Sequence, residues 1–471
     1  MTAFTVVSML TMVVSTGMAV DFMRQEALRA ELQDAVDRGV LAAAALTQTM
    51  SPEDTIRGYL RSTNFVGANA TVDAQELAGG INKRHITASV SYKVPTYFLK
   101  IIGINDIPIE VSGAAIESKQ DIELSLVLDV STSMSLCKAG EAPSSPDYCD
   151  HYSGTGSDDS RLDVMREAAA NFIDQMLTED TQEYMSISLV PFGGQVDPGQ
   201  VAFDHLKSYN VHNYAHCLEF SNSDFEEVTM PSANSLSQSQ YFSISSYYRR
   251  SDLDESIALG WCPHKDSGEE IVYHSNDPAA LKTQILNLQT HEATGTQYGA
   301  KWGAMLLDPS STALTSKLVT AGQVPSRFLD RPKAYDDDAT MKVLVIMSDG
   351  RTSSQRRASW RNYDSASDRA WFANSRNAGR GWNYTRQTIS SSQARGQLLD
   401  VCDAAKDEGI VVFTIGFDVD ADDYSGGGRE ANLDMRSCAT TYGHYFDVDG
   451  EELADAFSAI AATIEKLKLV Y

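Results

Sequence analysis

Positive charge is scarce in this chain. Its 471 residues hold 38 Lys and Arg against 64 Asp and Glu, a formal net charge of −26. Such a surface repels phosphate backbones and anionic headgroups, so nucleic acid is not expected as a partner of the whole protein. The first 23 residues contain no Lys or Arg at all. That absence counts against a cleaved secretory signal, whose start is basic. Cysteine is sparse too: Cys137, Cys149, Cys217, Cys262, Cys402 and Cys438. An even number behind an apolar N-terminus predicts three disulfides in an oxidising compartment. Nearness in sequence favours Cys137–Cys149 and Cys402–Cys438, which leaves Cys217–Cys262. A zinc site on His212, His216, Cys217, Cys262 and His264 competes with that last pair, although its spacing matches no standard finger.

The apolar residues that are present are organised. Ala3 to Val20 is almost uninterruptedly apolar or small, long enough to predict a bilayer-spanning helix. A cleaved signal peptide with Gly17-Met-Ala19 as its small-residue site is the alternative. From Asp21 to Gln48, Leu28, Leu32, Val36, Val40, Leu41 and Leu46 recur at helical spacing, so membrane and stalk read as one helix. Residues 51–62 predict a short capped helix. Ile86–Tyr92 and Ile107–Ser112 alternate as strands, with Val94-Pro-Thr-Tyr-Phe-Leu-Lys-Ile-Ile-Gly103 between them.

Further on, Ile122–Leu128 predicts a buried strand, and Asp129-x-Ser131-x-Ser133 follows it directly. Three oxygen-bearing side chains on alternate loop positions suit a hard divalent cation. Thr296, in Ala293-Thr-Gly-Thr296, opens a predicted helix, with Thr294 as the other register. Asp349 closes Lys342–Ser348, a second buried-type strand. Leu162–Leu177 and Leu453–Leu467 read as helices; Met185–Pro191 and Ile410–Gly416 read as strands. The alternation predicts an α/β fold with a doubly wound, mainly parallel sheet flanked by helices.

Strand–DxSxS, Gly-Thr before a helix, then strand–SDG together resemble the von Willebrand factor A (vWA) family. The resemblance implies a metal-ion-dependent adhesion site on Asp129, Ser131, Ser133, Thr296 and Asp349. It would hold Mg2+, or Mn2+ or Ca2+, with a coordination position left for a ligand's carboxylate. The motif supplies no His or Glu to activate a bound water, so a docking site is expected and not an enzyme. A metal-free loop whose serines cap the next helix is the alternative.

Gly17-Met-Ala-Val-Asp21, Leu32-Gln-Asp-Ala-Val-Asp37 running into Leu41-Ala-Ala-Ala-Ala45, and the Val94-Pro-Thr-x-Phe-Leu segment resemble TadG-like proteins of the Tad/Flp pilus. Arg38-Gly39 departs from the small residues usual there. The organisation expected is a transmembrane and stalk helix over 1–48, a small β-rich module over 49–119, and a vWA domain over 120–471. Two insertions are read at about 197–290 and 351–396. The second carries nine arginines, no lysine and interleaved aromatics. It is expected to dock on the acidic first insertion, with carboxylate, glycan or nucleic-acid recognition as the other uses.

The expected function is a non-enzymatic minor component of a Tad pilus, in assembly or metal-dependent adhesion. Its partners would be other Tad components, a carboxylate-bearing protein or surface ligand, and the membrane through the N-terminal helix. It would sit in the bacterial inner membrane with its large domain in the periplasm, or be incorporated into a surface pilus. The alternatives are a vWA scaffold subunit of an unrelated envelope complex and a metal-assisted hydrolase using His291 as base.

Overall fold

The computed structural model describes residues 2–61, 70–77, 83–118, 120–135, 160–207, 209–244, 260–349, 352–359, 363–377, 380–417, 428–449 and 452–467. The chain divides into two compact units, Met1–Gln120 and Asp121–Tyr471.

The first unit opens with the 43-residue helix α1, Thr2–Ala44. No helix among the described residues is long and apolar enough to cross a membrane. The expected span Ala3–Val20 is helical throughout, and part of it lies outside the residues whose side chains are described. Lower down, Leu32, Ala35, Val36, Val40, Ala43 and Ala44 are buried along one stripe. They pack on α2 (Pro52–Arg61) and on the antiparallel sheet β1–β2–β3 (Thr71–Leu77, Lys83–Pro95, Asp106–Ser118). Ser51 caps α2, its hydroxyl accepting from the Asp54 N–H at 3.1 Å. Gly39 allows α2 close: a Cβ there would stand 3.1 Å from the Ile56 Cα. The stalk helix and the β module thus share a single core. Strand β1 was not expected, because Asp73, Gln75 and Glu76 obscure its alternation.

The motif residues of α1 also have partners. The Asp21 carboxylate accepts from the backbone N–H groups of Tyr97, Phe98 and Leu99 at 3.0, 2.9 and 2.8 Å. It therefore caps the 3-10 turn Leu99–Ile102. Burial alone would raise its pKa, but those three donors and Arg24 hold it below the ordinary value. One helical turn earlier, a Cβ on Gly17 would stand 2.2 Å from the Phe98 ring. The helix motif and the Val94–Gly103 segment, far apart in sequence, are two sides of one contact.

In the second unit the order is β4 (Asp121–Asp129), α3 (Arg161–Met176), β5 (Met185–Phe192), α4 (Gly199–Leu206) and the short strands β6 (Leu218–Glu219) and β7 (Ser237–Gln238). Next come β8 (Val272–Ser275), α5 (Pro278–Asn287), α6 (Thr296–Met305), α7 (Thr312–Thr320), β9 (Thr340–Ser348) and β10 (Gln355–Ala358). The chain continues through α8 (Ala366–Ala373), β11 (Thr385–Ile389), α9 (Ser391–Asp407), β12 (Val411–Phe417), α10 (Gly428–Cys438), β13 (Tyr445–Val448) and α11 (Glu452–Leu467). The main sheet runs β13-β12-β9-β4-β5-β8, parallel except for edge strand β8.

Strands β4, β5 and β9 are almost wholly buried, as a sheet covered on both faces requires. Helices α3, α5 and α11 cover one face; α4, α6, α7, α9 and α10 cover the other. The stretch 197–290, expected as an insertion, contributes β8 and α5 to this core, so the true excursion is shorter. The winding reverses between β4 and β9. A crevice therefore opens at their carboxyl ends, the usual place for a site in such sheets.

Candidate metal centre

Asp129 ends β4 and Asp349 follows β9, so both stand at that crevice, and both are fully buried. Asp129 Oδ1 accepts from the Ser131 N–H at 2.7 Å, and Oδ2 accepts from the Ser348 hydroxyl at 2.5 Å. The Ser131 and Ser133 hydroxyls are 3.1 Å apart. Ser133 then donates to Asp349 Oδ1 at 2.7 Å. The structure thus joins Ser131, Ser133 and Asp349 in one chain of oxygens, with Asp129 tied in through Ser131. Burial and the nearby Asp349 carboxylate push the Asp129 carboxyl well above its usual range, against the Ser131 and Ser348 hydrogen bonds.

Thr296 is the first residue of α6, behind Gly295. A Cβ on Gly295 would stand 2.3 Å from the Gly194 carbonyl oxygen, so only glycine fits that position. The preceding loop runs beside the DxSxS loop. The His291 N–H donates to the Val130 carbonyl at 2.7 Å, and the Thr132 hydroxyl donates to the His291 carbonyl at 3.0 Å. No hydrogen bond links Thr296 to the other four residues among those described. Its Oγ1 is buried and has no protein partner. An orphaned buried hydroxyl, two further hydroxyls and two carboxylates make a set of hard oxygen donors, which fits Mg2+, Mn2+ or Ca2+. Thr294, the other register, gives its carbonyl to the Ser353 N–H at 2.8 Å.

Two further residues at the site escaped sequence reading. Ser348 reads in the sequence only as the end of a strand. Arg161, the first residue of α3, reaches Asp349 Oδ2 with Nη1 at 3.0 Å, and both side chains are buried. A cation on the first turn of a helix runs against the helix dipole, and that anomaly was the available signal. His291 is fully buried, with Nε2 bound to the Glu269 carboxylate.

The cysteines join Cys217 to Cys262 and Cys402 to Cys438. The nearby histidines serve other contacts: His212 reaches the Ser239 carbonyl, His216 reaches Asp197 and Gln200, and His264 packs edge-on against Tyr241. Cys137 and Cys149 lie outside the described residues.

The two insertions meet. Arg357 grips both oxygens of Glu219, and Glu219 also accepts from the Tyr298 hydroxyl. Tyr363 bonds the Tyr241 backbone, and Phe242, Trp261, Ala358, Tyr363 and Phe372 form one apolar cluster. Among the described residues the contact is one ion pair within an apolar seam. Asp224 is used in a capping box; Asp252–Glu255, Arg351, Trp360 and Arg361 lie outside the described residues. Arg356 stacks at 3.9 Å on Trp382, which is exposed along with Tyr384, Arg376, Arg380 and Arg386.

Residues 1–46 match the family model described as putative Flp pilus-assembly TadE/G-like. Among curated proteins none matches the chain. Several solved structures are similar at low identity. The pilus adhesin SpaC from Lactobacillus rhamnosus GG, in its open conformation, is 12% identical over 86% of this chain and 34% of its own, with a TM-score of 0.35. This chain thus spans about a third of that adhesin's length. The vWF domain of the type V pili tip protein Mfa5 from Porphyromonas gingivalis is 14% identical over 74% of this chain and 96% of its own, also at 0.35. The adhesive tip pilin GBS104 from Group B Streptococcus agalactiae is 11% identical over 84% and 68%, again at 0.35.

Proposed function

We propose that this protein is a non-enzymatic accessory of a Tad-type pilus, acting in pilus assembly or adhesion through a divalent ion held at the vWA-type crevice. The match of residues 1–46 to the pilus-assembly family carries the assignment to a pilus system. The oxygen cluster supports the mode of action. Asp129, Ser131, Ser133, Thr296 and Asp349 would hold the ion, with Mg2+, Mn2+ or Ca2+ all suited to the donor set. Bound there, it would offer a Lewis-acid position to a carboxylate of a pilus component or of a surface ligand. The chain's part is to fix the oxygens: Ser348 and the Ser131 N–H orient Asp129, and Ser133 orients Asp349. A cell-envelope location follows from the pilus reading.

Asp129→Ala and Asp349→Ala test this, each scored for Mn2+ binding by the purified protein and for piliation and surface attachment by the cell. Both should lose the ion. Attachment lost with pili intact identifies an adhesin, and pili lost identifies an assembly factor. Normal pili and normal attachment in both variants would remove the crevice from the function.

A further inference from the structure

The divalent-ion reading leaves Arg161 unexplained. The sequence places a guanidinium at the first position of α3, where the helix dipole disfavours a cation. It also buries that group to 2% exposure, and a buried charge is costly without a counter-charge. The Arg161 Nη1 lies 3.0 Å from Asp349 Oδ2, while the other Asp349 oxygen takes the Ser133 hydroxyl at 2.7 Å. The guanidinium is thus held by a carboxylate that the ion also needs.

We infer that Arg161 is a resident cation that competes with the divalent ion for Asp349. The inference rests on the metal reading above. The guanidinium offsets part of the negative charge that Asp129 and Asp349 bring to the crevice, so the crevice can stay folded without an ion. An entering ion has either to displace the guanidinium or to share Asp349 with it against like-charge repulsion. Affinity is lowered in both cases, and the site fills only where free divalent ion is abundant. Any guanidinium left close by adds positive charge to the filled site, which favours an anionic ligand on it.

The test titrates Mn2+ and Mg2+ by calorimetry into full-length wild type, Arg161→Gln and Asp349→Asn, with thermal melts in chelator and in millimolar Mg2+. Arg161→Gln should bind the ion about tenfold more tightly or better, a difference well resolved by this method. It should melt below wild type in chelator, with the gap closing in Mg2+. Asp349→Asn should bind weakly or not at all. A lower melting temperature for Arg161→Gln with unchanged ion affinity would make Arg161 merely structural and overturn the competition. If neither wild type nor Arg161→Gln binds an ion, the metal reading falls and this inference falls with it. Should Arg161→Gln fail to fold, wild-type crystals grown with chelator and with Mn2+ decide the matter. The guanidinium should leave Asp349 when Mn2+ is present, and its staying in place would overturn the competition.

Discussion

Gly17 shows how a single missing methyl can be read in two ways. In an exposed helix, Gly→Ala gains about 0.5–1 kcal/mol from backbone entropy. At Gly17 the new Cβ would lie 2.2 Å from Phe98 Cγ, close to the root of the ring rather than to a movable tip. Overpacking costs about 1–3 kcal/mol, so the sign reverses. Gly17→Ala should lower the thermal stability of the first unit, and Gly17→Ala combined with Phe98→Ala should cost less than the two changes summed. Gly396, inside α9 with no atom near its would-be Cβ, is the counter-case: Gly396→Ala should stabilise by about 0.5–1 kcal/mol in urea unfolding. The Gly17-x-Ala-x-Asp21 pattern was legible in the sequence, but its reason was not, because the groups Asp21 caps lie 76 to 78 residues away. His274 carries a pH prediction. Burial, then the Arg331 and Lys342 cations, lower its pKa from 6.5 to about 3. The unfolded chain therefore takes up this proton below pH 6.5 while the folded chain does so only near pH 3. Stability is complete above the upper value and is lost as pH falls through that window. His274 has a φ of 39°, a left-handed backbone that Asn tolerates. His274→Asn should flatten the acid side of the stability–pH curve relative to wild type, measured by urea midpoints; parallel curves would refute the assignment.

Strands β4, β5, β9 and β12 were legible because a strand buried on both faces has only one requirement, and continuous apolar residues meet it. Strand β8 was not, since four residues at a sheet edge carry little pattern and sit in a long polar stretch. The arginine-rich segment was visible as composition, but composition does not say which arginine finds a partner. Geometry selects Arg357, whose acceptor Glu219 lies 138 residues away. The neighbouring Arg356 turns to Trp382 instead, as alternation along β10 requires. Arg357→Ala would strand the part-buried Glu219 beside the Tyr298 hydroxyl and should cost about 1–3 kcal/mol, the range for leaving a hydrogen-bonded acceptor without its donor. Arg386→Ala, on the exposed side of β11, should change stability by no more than about 0.5 kcal/mol. Denaturant unfolding of both variants checks the contrast. Equal losses would mean that the insertions are held by general charge attraction after all.

At the scale of the whole chain, the sheet class and the three motif fragments of the crevice could be read in advance, because each fragment is local and stands at a strand end. Arg161 could not: its role exists only after β4 and β9 have become neighbours, and nothing within α3 names Asp349. The boundary near residue 120 was legible, but the union within the first unit was not, since the stalk helix and the β module read as separate pieces while their apolar faces close one core. Among the described residues that core has fifteen buried apolar residues, whereas the second unit has two larger clusters on either side of a six-stranded sheet. Small cores bury a smaller fraction of their surface and are the more marginal. Calorimetry of the full chain should therefore show two transitions, with Met1–Gln120 melting first. The fragment Asp121–Tyr471 contains the Cys217–Cys262 and Cys402–Cys438 bridges and every residue of the crevice. Expressed alone under oxidising conditions, it should reproduce the upper transition and bind Mn2+ with the affinity of the full chain. A fragment that stays unfolded, or that folds with altered ion affinity, would show that the two units are one thermodynamic body despite their separate cores.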